Sequence, residues 1–284
     1  MQTPEQPPRE AQLPKVRIYF LPNLLTAGNL TCGFVALTKI VEADISNGDF
    51  HNIKVALVYI LLACVFDLFD GRVARMGGRE SPFGREFDSL ADLISFGVAP
   101  AFLIHRIVLR DVFIKYPQLG WFIASIYVIC GAFRLARFNC LASLPGTGGG
   151  GREFIGFPIP SAAGLVGSLT YLLIIWDEPR FREGPLRYAL PVLLLFLSWM
   201  MVSEVRYPTF KTLDLRTRWT FAKTLVAILF FGSVLVTQGQ ILILVLPIFF
   251  TGYLVYGFVR PYLPHKMRQD IEEEDEEEDD HLAV

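Results

Sequence analysis

The sequence contains few cysteines, and their spacing excludes the usual structural uses of this residue. The four cysteines of the 284-residue chain are Cys32, Cys64, Cys130 and Cys140, and no two of them have CxxC spacing. A disulfide framework or a structural zinc site requires clustered or closely paired cysteines. We therefore interpret all four as small apolar residues inside helices and expect neither disulfides nor zinc.

Charged side chains are also scarce, at 19% of the chain, whereas 52% of the residues are hydrophobic and the mean hydropathy is +0.42. This composition excludes a soluble globular protein. Apolar runs recur at a length close to the ~20 residues that cross a hydrocarbon core. They cover residues 22–41, 53–69, 89–109, 119–133, 159–176, 186–203, 220–237 and 239–259. The sequence therefore predicts an all-α, polytopic membrane bundle of eight helices.

The N-terminal region lacks the features of a cleavable signal, because residues 1–21 are polar and proline-rich rather than basic and then apolar. Lys and Arg concentrate in the cytoplasmic loops of membrane proteins. If the N-terminus is inside, most basic residues fall in inward segments, although Arg106 and Arg110 fall outside. We expect both termini and the turn after the second helix to face the cytoplasm, most simply in the inner membrane of a prokaryote.

The formal net charge of −2 conceals a strongly acidic C-terminal tail. Every residue from 270 to 280 except Ile271 is Asp or Glu. A block of like charges is typical of a disordered, solvated segment. Docking of a partner or buffering of metal ions are the alternatives. We therefore separate a flexible tail at 1–17 and a disordered acidic tail at 263–284 from a transmembrane domain at 18–262.

Four aspartates break the apolar pattern at the ends of two neighbouring predicted helices. Asp67 and Asp70 are spaced i, i+3 at the end of the second helix, and Asp88 and Asp92 are spaced i, i+4 at the start of the third. Such spacings place each pair on one helix face. Residues 76–83, MGGRESPF, contain glycines and a proline that favour a turn. We therefore expect the four carboxylates to converge where the two helices meet.

Carboxylates that converge at the edge of a bilayer repel one another and lose hydration unless cations compensate them. Divalent metal ions such as Mg²⁺ prefer oxygen ligands and are commonly held by carboxylates together with substrate phosphates. Two such ions would clamp a pyrophosphate for an in-line displacement. Arg72, Arg75 and Arg85 are the alternative source of positive charge, and the acids would then be structural. The metal interpretation predicts a phosphoanhydride substrate.

The aspartates belong to a longer pattern, DxxDGxxARx8GxxxDxxxD, which runs from Asp67 to Asp92. This pattern resembles, without a departure, the signature of the CDP-alcohol phosphatidyltransferases, which are integral membrane enzymes of phospholipid synthesis. The resemblance implies a catalytic core of six transmembrane helices, here extended by two further C-terminal helices, and usually a homodimer. It also implies a site for two divalent cations, Mg²⁺ or Mn²⁺, on the cytoplasmic side.

The same resemblance implies a role for each residue of the pattern. Asp67, Asp70 and Asp88 would be metal ligands, and Asp92 would be both a ligand and the catalytic general base. The residues implied around the cytidine diphosphate group are Gly71, Ala74, Arg75, Gly84 and, at a position that is polar in the family, Ser81.

The first predicted helix carries polar residues at three-residue spacing on one face, namely Asn23, Thr26 and Asn29. We assign Asn23 and Thr26 to the CDP-diacylglycerol site. Capping of the helix by either residue is the alternative.

The fourth predicted helix ends in RLARFN, which places Arg134 and Arg137 three residues apart, followed by Asn139. We assign these three residues to the acceptor or to a phosphate, because arginine holds carboxylates and phosphates through charge-assisted hydrogen bonds. Anchoring by positive charge on the cytoplasmic side is the alternative.

These stretches, with FIGFPIPSAAG at residues 154–164, resemble the phosphatidylserine synthase branch of the family over roughly residues 18–260. The resemblance implies that the phosphatidyl group of CDP-diacylglycerol passes to the hydroxyl group of L-serine with release of CMP. Related enzymes that use glycerol 3-phosphate or an inositol compound, or an ether-lipid donor, are alternatives within the family.

A cation transporter with an aspartate ion site is the alternative from a different class. Transporter sites usually lie near the bilayer centre between internal repeats, whereas these acids lie at predicted helix ends. We therefore favour the enzyme, and expect the two substrates, membrane lipids and a second copy of the chain as partners, and no nucleic acid.

Overall fold

The computed structural model describes residues 20–76, 81–142, 153–176, 181, 184–208 and 240–260. Within them the chain is helical apart from turns and one pair of short strands. The helices are α1 (Phe20–Glu42), α2 (His51–Met76), α3 (Pro82–Val112), α4 (Pro117–Ala142), α5 (Ile159–Trp176), α6 (Ala189–Val202) and α7 (Gln240–Val259). The strands are β1 (Glu153–Ile155) and β2 (Arg206–Pro208). Short 3₁₀ turns at Ile45–Asn47 and Pro185–Tyr188 lead into α2 and α6.

Helices α1 to α6 confirm the first six predicted membrane spans. Each is long and apolar enough to cross a membrane, α6 together with the turn that precedes it. Helix α7 coincides with the eighth predicted run, and its crossing of the membrane stays a prediction. The seventh run, 220–237, and the tails at 1–17 and 263–284 lie outside the described residues. The chain is therefore an integral membrane protein built on at least these six helices.

Helix α3 occupies the middle of the bundle and is longer than the predicted run of 89–109. It begins with Pro82 as its first residue, and the side-chain oxygen of Ser81 accepts a hydrogen bond of 3.0 Å from the backbone N–H of Gly84. Serine is favoured at this cap position, and proline at the next because it has no N–H to satisfy there. The hydropathy pattern missed these first two turns because Arg85, Glu86 and Asp88 interrupt the apolar run there.

Close helix contacts bring the polar end of the bundle together. A Cβ atom on Gly33 of α1 would lie 2.8 Å from the Cα atom of Ser95 in α3. A Cβ atom on Gly131 of α4 would lie 2.6 Å from Ile159 Cδ1 at the start of α5. Small residues at membrane-helix interfaces allow such close approach of backbones. These glycines therefore allow α1, α4 and α5 to pack closely around the start of α3.

The two strands connect the helix ends on the side of the bundle where α2 ends and α3 begins. They pair antiparallel, with Phe154 opposite Tyr207. Gly156 follows β1 with a φ of 81°, and its N–H donates to the carbonyl oxygen of Val205 at 2.8 Å. A side chain at Gly156 would collide with the Met201 carbonyl oxygen, so glycine is required there. We call residues 153–157 with 203–208 the strand clip.

Arg137 of α4 binds the strand clip through its guanidinium group. Its Nη2 donates to the carbonyl oxygen of Ile155 at 2.8 Å and to that of Ser203 at 3.2 Å. Nη1 of the same side chain donates to the carbonyl oxygen of Val202 at 3.4 Å. The side chain therefore joins α4 to both strands and to the end of α6.

Replacing Arg137 with glutamine is expected to destabilise the protein by about 1.5–3 kcal/mol, because hydrogen bonds to a charged group are worth that much. The melting temperature of the purified protein in detergent measures the effect, and Arg137→Lys should restore part of it. Arg110→Gln, at an exposed position near the opposite end of the bundle, is the matched control. Equal melting temperatures for Arg137→Gln and the control would contradict a structural role for Arg137.

Candidate functional site

The end of α2 and the start of α3 bring three carboxylates into one cluster. One oxygen atom from each of Asp67, Asp70 and Asp88 lies within 4.8 Å of the other two. Asp70 is only 4% exposed. We call these three residues the acid group. The i, i+3 pair on α2 thus meets the first member of the i, i+4 pair on α3, as the turn between the helices predicts.

The acid group fits a divalent metal ion. Its donor atoms are all carboxylate oxygens, which hard cations such as Mg²⁺ and Mn²⁺ prefer. Oδ1 of Asp88 is buried and has no hydrogen-bond partner within the described part of the chain. A buried carboxylate oxygen without a donor is costly unless a cation compensates it. The chemistry of the cluster therefore matches a metal site.

Asp92 lies one turn beyond Asp88 and is not a member of this oxygen cluster. It is 5% exposed, and its Oδ1 accepts a hydrogen bond of 3.0 Å from Nδ2 of Asn29 in α1. Asp92 is near enough to the acid group and to Arg134 to interact electrostatically with all four residues. It is therefore a separately held carboxylate at the edge of the acid group.

Helix α1 supplies side chains that hold two of the aspartates. Thr26 Oγ1 donates to Asp70 Oδ2 at 3.0 Å, one turn before Asn29 donates to Asp92. Thr26 lies inside α1, and its hydroxyl reaches Asp70 Oδ2 and, at 3.2 Å, the carbonyl oxygen of Pro22. The capping alternative therefore finds no support for this residue. The contact of Asn29 with Asp92 was not predicted, although its place in the Asn23, Thr26, Asn29 series was the available signal.

A second small cluster lies where α1 meets the start of α3. A Cβ atom on Gly84 would lie 3.3 Å from Ser81 Oγ and 3.4 Å from Asn23 Oδ1. Nδ2 of Asn23 is buried and donates to no acceptor in the residues that the structure covers. This cluster thus offers a buried donor beside a glycine, which is the arrangement expected where a ligand approaches the backbone closely.

The remaining residues assigned to the nucleotide, Gly71, Ala74 and Arg75, lie in the last turns of α2. The side chains of Ala74 and Arg75 lie outside the described part. Their contacts with a nucleotide stay predictions.

The three residues assigned to the acceptor contact different parts of the bundle. Arg134 is 8% exposed and near enough to interact electrostatically with Asp92 and Asp67. Arg137 binds the strand clip, and Asn139 Nδ2 donates to Ser89 Oγ of α3 at 3.0 Å. Of the three, Arg134 is therefore the side chain that lies near Asp92 and the acid group. Binding of an acceptor by any of them stays a prediction.

Comparison with known proteins gives a match over most of the helical bundle. The family model described as CDP-alcohol phosphatidyltransferase matches residues 19–203. This range contains α1 to α6, the acid group and Asp92.

Individual relatives extend the similarity. The chain is 32% identical over 243 residues to a CDP-diacylglycerol–serine O-phosphatidyltransferase of Helicobacter pylori (strain ATCC 700392 / 26695), covering 86% of this chain and 91% of that protein. It is 35% identical to the protein of the same name from Bacillus subtilis (strain 168), covering 68% and 92%. It is also 33% identical to an archaetidylserine synthase of Methanothermobacter thermautotrophicus, covering 66% and 69%.

Proposed function

The chain belongs to the CDP-alcohol phosphatidyltransferase family, and from that premise we propose that it transfers the phosphatidyl group of CDP-diacylglycerol to L-serine, giving phosphatidylserine and CMP. The observation that carries the proposal is the acid group of Asp67, Asp70 and Asp88 beside the separately held Asp92. The printed names of the relatives support serine as the acceptor. The family membership itself makes the chain a transferase of phospholipid synthesis.

The acid group would hold two divalent cations, Mg²⁺ or Mn²⁺, with Asp92 as a further ligand. Bound cations would neutralise the charge of the pyrophosphate and of the departing CMP. The buried Asp88 oxygen without a hydrogen-bond partner in the described part supports this assignment.

The nucleotide would lie against the start of α3. The amide nitrogen of Asn23 would donate to it, and the absence of a side chain at Gly84 would let it approach the backbone. Gly71, Ala74, Arg75 and Ser81 complete the proposed contacts. Thr26 would act indirectly, since its hydroxyl orients Asp70.

Asp92 would be the catalytic base. It would accept the proton of the serine hydroxyl while the serine oxygen bonds to the lipid-side phosphorus and the bond from that phosphorus to the CMP oxygen breaks. Placing hydroxyl, phosphorus and base together supplies much of the rate enhancement in such transfers. The hydrogen bond from Asn29 would hold Asp92 in place while the carboxylate accepts the proton.

Arg134 would bind the carboxylate of serine or a donor phosphate, and Arg137 and Asn139 would support the same pocket. The proposal includes a homodimer in the inner membrane of a prokaryote with this site on the cytoplasmic side. The shared position of the α2 end, the α4 end and the strand clip on one side of the bundle is consistent with a single active face.

We expect purified protein with CDP-diacylglycerol and Mg²⁺ to release CMP at least ~10-fold faster with L-serine than with glycerol 3-phosphate or inositol, because a pocket built to pair one polar group discriminates by this much or more. Chromatographic quantification of CMP measures the rate, and a reaction without acceptor is the control. Release that responds to glycerol 3-phosphate and ignores serine would reject the proposed acceptor. Replacing the donor by its archaeal ether-lipid equivalent tests the donor separately.

A further inference from the structure

Asn29 uses only half of its side-chain amide. The residue is 0% exposed, and its Nδ2 donates to Asp92 at 3.0 Å. An ionised Asp92, which its proposed role as the base requires, can only accept hydrogen bonds, so the NH₂ group of Asn29 must face it. Its Oδ1 is therefore the atom left over, and it is buried with no donor among the described residues.

This unpartnered oxygen lies in a rigid part of the fold. The backbone oxygen of Asn29 accepts a hydrogen bond of 3.0 Å from Ser95 Oγ, and Gly33, one turn further along α1, packs directly against Ser95. These contacts fix the backbone at Asn29, and the hydrogen bond to Asp92 holds its fully buried amide. A buried carbonyl oxygen without a donor is uncommon and costly in a folded protein. A ligand that donates to it would remove that cost.

The position of the oxygen defines the donor it would accept. Oδ1 and Nδ2 are bonded to the same carbon atom, Cγ. Oδ1 therefore lies close to Asp92, although it is the Nδ2 atom that bonds to the carboxylate. An acceptor alcohol with its hydroxyl at Asp92 would place the groups on its next carbon within reach of Oδ1. In serine the next carbon carries both an ammonium and a carboxylate, and of the two only the ammonium can donate to Oδ1. The ammonium has three N–H donors and a positive charge, and hydrogen bonds from charged donors are roughly twice as strong as neutral ones.

We propose that Asn29 Oδ1 binds the ammonium group of the acceptor, so that Asn29 positions Asp92 with one end of its amide and selects a 2-amino alcohol with the other. The inference rests on the proposed function and identifies Asn29 as a residue that determines specificity for the acceptor. Arg134, which also lies near Asp92, would then bind the carboxylate of the acceptor. A phosphate placed against Oδ1 would bring two negatively polarised groups together without a proton between them.

The test compares L-serine with 3-hydroxypropionate, which is serine without its amino group, in the wild-type protein and in Asn29→Ala. The measured quantity is kcat/KM for CMP release with each acceptor. We expect the wild type to prefer serine by a factor of about 10–100, which corresponds to one hydrogen bond from a charged group. In Asn29→Ala this preference should fall by at least ~10-fold, because the oxygen that distinguishes the acceptors is gone.

Thr26→Val is the matched control, since it removes the equivalent bond to Asp70 one turn away on the same helix face. We expect it to slow both acceptors equally and to leave the preference for serine unchanged. Inhibition by L-alanine and by propionate, which cannot react, gives the same comparison where turnover of 3-hydroxypropionate is too slow to measure. Asn29→Ser replaces Asn29→Ala if the alanine variant does not fold.

The outcomes separate the two proposals. If the wild type depends on serine but Asn29→Ala and Thr26→Val both keep the serine preference, Asn29 only positions Asp92 and the inference is overturned alone. If the wild type releases no CMP with serine, the proposed function and the inference are both overturned. A loss of preference confined to Asn29→Ala supports the inference.

Discussion

Replacing Asp92 with asparagine is expected to lower kcat for CMP release with L-serine by a factor of ~10²–10⁴, which is the usual contribution of a general base. Asparagine has nearly the same shape and can still accept the hydrogen bond from Asn29 through its side-chain oxygen. The substitution therefore removes the proton acceptor while the buried contact with α1 persists. Initial rates at saturating serine and CDP-diacylglycerol measure the effect.

Asp111→Asn is the matched control for this experiment. Asp111 is an acid at the other end of the same helix, α3, where its half-exposed side chain pairs with Arg187 at 3.4 Å. An exposed pair of this kind is worth ~0–1 kcal/mol, so the control should keep wild-type activity. An Asp92→Asn variant that folds and retains activity within about threefold of the wild type would exclude Asp92 as the base.

Much of the bundle could be predicted because its signal is local in sequence. Each of the first six spans is a continuous apolar run, and length and composition alone located them. The start of α3 at Pro82 was missed because glycine and charged residues interrupt the apolar run in its first turns, PFGREFD. The strand clip was also missed, since three-residue strands joined across more than 50 residues leave no periodic pattern to detect.

In the candidate site, too, some contacts could be predicted from the sequence and others could not. The meeting of Asp67, Asp70 and Asp88 was expected from helix spacing and from the turn that the sequence predicts, and the family was recognised from the same pattern and confirmed by comparison. The bonds from Thr26 and Asn29 depend on which face α1 turns toward α2 and α3. That choice is made by tertiary packing, including the contact of Gly33 with Ser95. A single sequence therefore shows that Thr26 and Asn29 are present but not which residues they bond to.

The acid group is expected to lower the stability of the protein without metal and to raise it when metal is bound. Three carboxylates whose oxygens lie within 4.8 Å repel one another in the absence of a cation. A bound cation reverses this effect, and a ligand present at 100 times its Kd stabilises a protein by about 2.7 kcal/mol. Removing one carboxylate should therefore relieve the repulsion and weaken cation binding at the same time.

Asp88→Asn is accordingly expected to be no less stable than the wild type in EDTA and less stable than the wild type in Mg²⁺. In EDTA the variant should melt at the same temperature as the wild type or above it, because one negative charge has left the acid group. In Mg²⁺ or Mn²⁺ the wild type should gain about 2 kcal/mol or more and the variant much less. Electron paramagnetic resonance of Mn²⁺ counts the bound ions independently of activity, and Asp111→Asn should follow the wild type throughout. Equal stabilisation of Asp88→Asn and wild type by metal would show that the acid group does not bind it.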